Sequence, residues 1–330
     1  MSLPLLQSSA PSLWQTILRQ NITCVNQLAD FLELSLEQKA QLVQHPTFAL
    51  NIPLRLVQKM QKGTLEDPLF KQFVPLQKEQ EYHSLFIADP VCDESFRKGK
   101  KLLHKYEGRA LLLCTSACAM HCRYCFRQNF NYETEDKLFE KELAWLKQDL
   151  AIHEVILSGG DPLSLSSRRL ASILLTLAEF SHIRRIRFHT RFPIGIPERI
   201  DQEFLDLIAQ LPQQVYFVIH CNHPHELDQD IFKHLKPLQK LGCILLNQSV
   251  LLKGVNDDPQ TLKLLCETLV NEGILPYYLH QLDRVNGAAH FEVTQERGRQ
   301  LIKEIAQSLS GYAIPKYVQE IAGEPYKTPL

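Results

Sequence analysis

After residue 107 the sequence alternates short apolar runs with helical stretches, and this alternation constrains the fold more than any other feature. Six runs have the length of strands, at residues 110–114, 154–158, 186–190, 215–220, 243–251 and 275–280. Five stretches with helical spacing lie between them, at residues 137–150, 166–180, 200–209, 228–241 and 259–271. Such alternation is typical of parallel strands joined by right-handed crossovers. The pattern predicts an α/β fold, a partial barrel of six β/α units, with a doubly wound sheet as the alternative.

The region before this alternation has a different hydrophobic pattern. Its apolar residues recur at helical spacing, as at Leu54 and Val57, which is typical of amphipathic helices packed against a core. We therefore expect a mainly helical N-terminal region at residues 1–105, the barrel at residues 106–310 and a short C-terminal segment at residues 311–330.

Charge balance and cysteine usage narrow the class of protein. The chain carries 36 basic and 37 acidic residues, a net charge of −1, and so has no overall attraction to nucleic acid or to an anionic membrane. No apolar run approaches the roughly 20 residues that span a bilayer, and the first residues lack the basic start and long apolar stretch of a secretory signal. We therefore expect a cytoplasmic protein whose nine cysteines are reduced thiols or metal ligands and not disulfides.

Three of these cysteines form one tight motif, C-x3-C-x2-C, at Cys118, Cys122 and Cys125. Three thiolates at this spacing can bind three irons of a four-iron cluster and leave the fourth iron open to another ligand. Zinc is an alternative, with Cys114 as a fourth ligand, although a structural zinc site usually uses two separated pairs of ligands. Structural or redox-active thiols are the third interpretation.

Polar residues close or follow five of the six predicted strands at the carboxyl end, and a polar pair lies within the fifth strand. In chain order they are the cysteine loop, Gly159-Gly160-Asp161, His189-Thr190-Arg191, His220, Asn247-Gln248 and the segment from His280 to Asp283. In a β/α barrel the carboxyl ends of the strands meet at one face, and catalytic groups lie there. The sequence therefore predicts an active site at that face.

The cysteine motif, with the aromatic Tyr124 before its last cysteine, resembles that of the radical S-adenosylmethionine (SAM) superfamily. In that superfamily SAM chelates the open iron of a [4Fe-4S] cluster, and electron transfer from the reduced cluster cleaves SAM to a radical that abstracts an unactivated hydrogen. The protein supplies binding, orientation and exclusion of water. The resemblance implies that Tyr124 lies near the adenine of SAM and that Gly159, Gly160 and Asp161 receive its methionyl amino group.

A more specific resemblance, over about residues 65–330, is to the lysine 2,3-aminomutase family. The stretches that carry it are residues 67–69, 157–163, 220–224, 247–256, 276–279 and 315–318, together with Asp283, His290 and Phe291. These enzymes combine the cluster and SAM with pyridoxal 5′-phosphate (PLP) and move the α-amino group of lysine to its β-carbon. The resemblance implies an isomerase of the intramolecular aminotransferase type with all three cofactors.

The same resemblance implies the residues that hold PLP. Lys327 is implied to be the PLP anchor, although residues 324–326 replace part of the glycine run that precedes this lysine in the family. Arg109 occupies the phosphate-binding position, and a guanidinium suits a phosphate because it can donate two parallel hydrogen bonds. Tyr106 lies at a neighbouring PLP-contacting position.

Substrate and SAM contacts are implied in the same way. Arg127 matches the arginine that pairs with the substrate carboxylate. Asp283 and Glu320 match the two acids that hold the ε-ammonium of lysine, and Glu320 stands where lysine-specific members usually carry aspartate. His220 and Gln248 match positions that contact SAM.

The chain ends shortly after Lys327, where longer family members continue into a zinc-binding extension. This short form resembles the branch that makes (R)-β-lysine from (S)-α-lysine for the β-lysylation of elongation factor P. The resemblance implies lysine as substrate, a functional link to elongation factor P and its β-lysyl ligase, and a reductant such as flavodoxin or ferredoxin. A radical SAM mutase of another amino acid and a non-catalytic iron–sulfur protein are the alternatives.

Overall fold

A computed structural model of the chain describes residues 11–133 and 138–330, and within these residues the centre of the fold is a ten-stranded sheet. The strands are β1 Arg97–Gly99, β2 Leu102–Tyr106, β3 Arg109–Thr115, β4 Glu154–Gly159, β5 Arg185–Thr190, β6 Gln214–His220, β7 Ile244–Val250, β8 Leu275–His280, β9 Lys316–Gln319 and β10 Thr328–Pro329. They lie side by side in chain order. Strands β3 to β9 are parallel, whereas β1, β2 and β10 pair antiparallel at the two edges.

This topology confirms the α/β partial barrel, because all six predicted strands are present as β3 to β8 and each is parallel to the next. The doubly wound alternative is wrong, since such a sheet reverses its strand order at a switch point and this one does not. A seventh parallel strand, β9, extends the predicted six. It has only four residues, too few to show a strand pattern in the sequence.

The described residues contain twelve α-helices of four to thirteen residues. They are α1 Leu13–Leu18, α2 Val25–Phe31, α3 Leu36–Lys39, α4 Leu54–Lys59, α5 Pro68–Phe73, α6 Glu140–Gln148, α7 Ser167–Ala178, α8 Phe192–Gly195, α9 Gln202–Ala209, α10 Gln229–Lys240, α11 Pro259–Asn271 and α12 Gln295–Ala306. The helices α6, α7, α9, α10 and α11 correspond to the five predicted ones. The predicted start of the first, Lys137, lies outside the described residues. The helices α8 and α12 were not predicted.

The longer crossover helices begin at residues that cap their own first turn. In each case a side-chain oxygen accepts a hydrogen bond from the backbone N–H three residues later, which satisfies one of the unpaired donors at a helix start. The capping residues are Ser166, Asp201, Asp228, Asp258 and Thr294. These caps explain why the predicted boundaries of α9, α10 and α11 fall within two residues of the observed ones.

The N-terminal helices pack on the barrel and hold the cysteine loop from one side. Trp14 packs edge-on against Phe192, with ring centroids 5.6 Å apart. The Asn21 amide donates to the Ala119 carbonyl at 2.7 Å, and the Asn51 amide donates to the Cys118 carbonyl at 3.1 Å. Residues 97–106, which the helical pattern did not distinguish, form β1 and β2 and extend the sheet. None of the helices within the described ranges has the length and apolar character to cross a bilayer.

Candidate active site

A cavity of about 860 Å³ opens at the carboxyl ends of the parallel strands. Every site residue that the sequence indicated lines it. These residues are Tyr106, Arg109, Cys118, Cys122, Tyr124, Cys125, Arg127, Gly159, Gly160, Asp161, His220, Gln248, Asp283, Glu320 and Lys327. They come from seven strands and the loops that follow them, so the fold brings together positions up to about two hundred residues apart.

The cysteine loop follows β3 and places three free, half-buried thiols on the cavity wall. Burial raises the pKa of the Cys125 thiol to about 11 and that of Cys118 well above its ordinary value, with a further contribution from neighbouring negative groups. A bound metal ion reverses this preference, because a coordinating thiol is deprotonated outright.

Within the described residues, no three His, Cys, Asp or Glu side chains converge closely enough to hold a single metal ion. A four-iron cluster binds each thiolate through a different iron, so its ligands need not meet at one point. The free thiols of Cys118, Cys122 and Cys125 on one wall of the cavity therefore fit a [4Fe-4S] group.

Two glycines bring the end of β4 against the cysteine loop. A side-chain Cβ at Gly159 would lie 2.6 Å from the Thr115 carbonyl oxygen, and one at Gly160 would lie 2.4 Å from the Ala117 carbonyl oxygen. Real Cβ atoms do not approach backbone oxygen so closely. Gly159 also has φ +115°, a conformation that favours glycine. The glycines of this motif therefore set how closely β4 approaches the loop that carries the thiols.

The carboxylate of Asp161 is fully engaged inside the protein. It accepts hydrogen bonds from the backbone N–H of Leu163, Arg191 and Phe192 and from the Thr190 hydroxyl, at 2.7–3.0 Å. Burial raises its pKa to about 6, although these donors favour the charged form. The side chain thus ties the end of β4 to the end of β5, and the adjacent glycine backbone is the part of the motif that faces the cavity.

Tyr124 and the pair His220–Gln248 line the same region of the cavity. The Asn222 amide donates to the Tyr124 hydroxyl at 2.6 Å, and the Tyr124 ring packs edge-on against Phe291 with centroids 6.0 Å apart. The Gln248 amide lies 2.7 Å from Nε2 of His220. Burial lowers the pKa of His220 to about 3, so this imidazole is neutral and can accept that bond.

Two buried histidines present unpaired nitrogens to the cavity. Nε2 of His189 and Nε2 of His280 have no hydrogen-bond partner among the described residues. Burial, with nearby cations, lowers the pKa of both side chains well below its ordinary value. Buried polar atoms are normally paired, so these two nitrogens fit a cavity whose occupant supplies the missing partners.

Lys327 lies beside Glu320, and its ammonium forms an ion pair with that carboxylate. A second cation, Lys105, lies 2.8 Å from Glu320, and the Tyr106 hydroxyl donates to the same oxygen at 2.5 Å. Burial opposes ionisation of Glu320, but Lys327 and Lys105 overcome it and hold its pKa below the ordinary range. Sequence reasoning missed Lys105, which has no local pattern that separates it from the other lysines around it.

Asp283 shares this end of the cavity but has a different ionisation. Burial raises the pKa of its carboxyl group to about 7; Lys327 opposes this rise and Glu320 adds to it. The two acids that the sequence placed in one pair therefore differ in their ionisation. Glu320 is ionised and already neutralised by two lysines, whereas Asp283 changes charge near neutral pH.

The two cavity arginines at the base of the barrel differ in their partners. Arg187 is paired with Glu154, with Nε 2.6 Å from the carboxylate oxygen. Arg109 has no carboxylate within salt-bridge distance among the described residues, and its guanidinium lies over the Tyr106 ring, 4.5 Å from the centroid. An unpaired guanidinium facing a cavity is suited to an anionic group such as a phosphate.

Arg127 is held by an acid that the sequence did not single out. Its Nε lies 2.8 Å from a carboxylate oxygen of Asp93, and its Nη1 donates to the Ser158 hydroxyl at 3.3 Å. Both side chains of the ion pair are less than one tenth exposed. Asp93 begins a four-residue 3-10 helix, Asp93–Phe96, just before β1, and so short an element has no period that could have indicated an inward-facing acid.

Comparison with known proteins gives a family model for part of the chain and curated relatives that share one name. A family model described as a 4Fe-4S single cluster domain matches residues 106–189. Proteins named L-lysine 2,3-aminomutase from Haemophilus influenzae and Escherichia coli are 41% and 40% identical, each over 96% of this chain and 94% of their own length. The protein of that name from Clostridium subterminale is 30% identical over 96% of this chain and 77% of its own.

Among solved structures, a radical SAM methyltransferase from Sphaerobacter thermophilus superposes with a TM-score of 0.47 at 16% identity, over 66% of this chain and 68% of that one. This overlap is too partial to carry an assignment. The curated relatives carry it, because their identity extends over nearly the whole chain. The chain therefore belongs to the L-lysine 2,3-aminomutase family, radical SAM isomerases that work with a [4Fe-4S] cluster, SAM and PLP.

Proposed function

We propose that this protein converts (S)-α-lysine to (R)-β-lysine. The observation that carries the proposal is the pair of acids, Asp283 and Glu320, in the same cavity as Lys327 and the cysteine loop. A buried ammonium needs carboxylate partners, and the side chain of lysine ends in an ammonium group. The reaction is an isomerisation, in which the amino group moves from the α- to the β-carbon, one hydrogen moves the opposite way, and no net oxidation occurs.

Different residues of the cavity contact different parts of the substrate and of PLP. When bound, the cluster, SAM and PLP supply the radical chemistry and the electron sink. Arg127, kept in place by Asp93 and Ser158, donates to the substrate carboxylate. Lys327 would anchor PLP covalently, Arg109 would hold its phosphate, and Tyr106 would contact the cofactor nearby. If Lys327 were bonded to PLP, Glu320 would keep Lys105 as its cationic partner on one oxygen, and its other oxygen could receive the ammonium of the substrate.

The SAM end of the cavity has its own set of residues. Cys118, Cys122 and Cys125 hold the cluster. The backbone of Gly159 and Gly160 faces the methionyl amino group, and Asp161 keeps that backbone in position through its internal hydrogen bonds. Tyr124, His220 and Gln248 contact the nucleoside. Because Nε2 of the neutral His220 accepts from Gln248, its Nδ1–H can donate to an acceptor on the ligand.

We further propose that the product serves β-lysylation of elongation factor P, by way of a β-lysyl ligase, and that flavodoxin or ferredoxin reduces the cluster in the cytoplasm. The support is the resemblance to the short branch of the family and the higher identity to the relatives from Haemophilus influenzae and Escherichia coli, 41% and 40%, than to the protein from Clostridium subterminale, 30%. Deletion of the gene should remove β-lysine from elongation factor P, measured by intact-protein mass spectrometry.

The catalytic proposal is tested by anaerobic reconstitution with iron, sulfide, SAM and PLP, followed by chiral chromatography and mass spectrometry of the products from lysine. (R)-β-lysine is the expected product. Lys327→Ala should give none, and borohydride reduction should no longer fix PLP to the protein. The matched control is Lys303→Ala on the exposed side of α12, which should behave as wild type.

Each other outcome contradicts a stated part of the proposal. A β-amino acid formed from a different amino acid, with none from lysine, would favour the alternative mutase. Absence of SAM cleavage in cluster-loaded protein would favour a non-catalytic iron–sulfur protein. Borohydride-fixed PLP in Lys327→Ala would place the anchor on another lysine.

A further inference from the structure

A buried arginine at the end of β5 contacts the cysteine loop directly. Arg191 is 7% exposed, and its Nη1 lies 2.8 Å from Sγ of Cys122. The same nitrogen donates to the Tyr124 hydroxyl. Neither the family resemblance nor the proposed reaction gives this guanidinium a role, although it touches one of the three thiols.

The guanidinium is fixed from several directions. Its Nη2 donates to the Gln72 side-chain oxygen at 2.8 Å and to a Glu226 carboxylate oxygen at 2.7 Å. Its central carbon lies over the Phe73 ring, 4.6 Å from the centroid. Gln72 and Phe73 belong to α5 and Glu226 follows β6. Together with the cysteine loop, three separate parts of the chain therefore hold the group in one orientation.

Glu226 is itself locked in place. It is fully buried, and its second carboxylate oxygen accepts from the backbone N–H of Asn222 and of His223 at 2.9 and 3.0 Å. The ion pair is therefore a rigid dipole, with its positive end at the sulfur of Cys122 and its negative end one group farther away. Such an arrangement costs no reorganisation when charge changes at the sulfur.

We propose that the Arg191–Glu226 pair sets the reduction potential of the cluster. Reduction adds one electron, taken from a one-electron donor such as a reduced flavodoxin or ferredoxin, and so increases negative charge on the sulfur ligands. A hydrogen bond and a positive charge at Cys122 stabilise that reduced state and raise the potential; hydrogen bonds to the sulfurs and net charge are known means of tuning such clusters. The carboxylate of Glu226 acts in the opposite sense.

The two members of the pair therefore predict opposite shifts. Arg191→Gln removes the cation and weakens the bond to sulfur, and the equilibrium for reduction should move about tenfold towards the oxidised cluster, which is about 59 mV lower for one electron. Glu226→Gln keeps the shape but removes the negative charge, and the potential should rise. Arg191→Lys keeps the charge without the forked geometry and should fall between wild type and Arg191→Gln.

The measurement is a potentiometric titration of the reconstituted holoprotein, followed by electron paramagnetic resonance of the reduced cluster, with iron and sulfide content checked to be equal. Arg297→Gln on α12, whose guanidinium pairs with Glu304, is the control for loss of an arginine far from the thiols. It should leave the potential unchanged.

Equal potentials in all variants with intact clusters, or shifts of the same sign in Arg191→Gln and Glu226→Gln, would overturn the proposal and leave Arg191 a purely structural residue. If Arg191→Gln does not fold, Glu226→Gln decides alone, because an unchanged or lower potential in that variant is incompatible with the proposal. The titration needs no substrate, so its result is independent of whether lysine is the amino acid that is converted.

Discussion

Replacement of Asp161 by Asn tests whether this residue is an internal brace of the site. Its Oδ1 accepts from Leu163 N–H and the Thr190 hydroxyl, and its Oδ2 accepts from the N–H groups of Arg191 and Phe192. The hydroxyl of Thr190 also lies 2.9 Å from Oδ2. An amide has the same shape as the carboxylate but only one acceptor oxygen, so the substitution removes acceptors and leaves the packing unchanged.

The geometry gives the magnitude. With the amide nitrogen at the Oδ2 position, the N–H of Arg191 loses its acceptor and the N–H of Phe192 keeps only the Thr190 hydroxyl oxygen. With the nitrogen at Oδ1, only the N–H of Leu163 does, because the Thr190 hydroxyl can rotate to donate to the remaining oxygen. The second orientation is therefore preferred, and one unsatisfied buried donor costs about 1–3 kcal/mol. Asp161→Ala leaves the N–H groups of Leu163 and Arg191 unpaired, whereas that of Phe192 keeps the Thr190 hydroxyl oxygen at 3.1 Å. This substitution should therefore cost about twice as much on the same basis.

The assay is urea unfolding of the anaerobically purified apoprotein at pH 7, compared as free energies of unfolding. Asp201→Asn is the matched control, because Asp201 caps α9 through a bond to Phe204 N–H and asparagine caps helices as well as aspartate does. The expected order of stability is wild type, equal to the control, then Asp161→Asn, then Asp161→Ala. An Asp161→Asn variant within about 0.5 kcal/mol of the control, the range of an ordinary surface substitution, would refute the reasoning.

Three further predictions concern the same cavity. Gly160→Ala places a Cβ 2.4 Å from the Ala117 carbonyl oxygen. This substitution should destabilise the apoprotein by about 1–3 kcal/mol through overpacking and lower the iron content of the reconstituted protein. The control Gly311→Ala, where nothing lies within 4 Å of the added Cβ, should have neither effect. Burial raises the pKa of Asp283 to about 7, so its carboxyl group is neutral below that pH. The affinity of PLP-loaded protein for lysine, measured by calorimetry, should therefore rise about tenfold between pH 6 and 8. Asp283→Asn should flatten this pH profile, and an unchanged profile in that variant would contradict the assignment. Asn51→Ala removes a hydrogen bond to the cysteine loop, an interaction worth about 0.5–1.5 kcal/mol, so chelators should strip iron from the reconstituted variant faster than from wild type.

Periodicity in the sequence was sufficient to predict the barrel, because each strand and each crossover helix forms from residues that are close together in the chain. Strands such as β3 and β4 carry apolar runs, β5 alternates apolar with polar residues, and most of the helices between the strands begin at polar caps. Both signals depend on neighbouring residues only. The antiparallel β1, β2 and β10 and the short β9 have two to five residues each, and such lengths give too few alternations to be distinguished from loop.

The site residues were accessible for a different reason. The cysteine spacing is a chemical constraint on three thiols, and the family resemblance aligned the remaining positions, from Arg109 to Lys327, with known roles. All of them line one cavity, although their individual roles remain predictions until the proposed variants are measured.

By itself, the sequence determined the chain of β/α units, the loop that carries the thiols and the edge of the sheet where polar groups collect. Tertiary structure alone decided which charges meet there: Asp93 at Arg127, Lys105 at Glu320 and Arg191 at Cys122. The last two pairs join residues 215 and 69 positions apart. Local spacing carries no information about such contacts, because they form only when the closing of the sheet brings the ends of distant strands to one cavity.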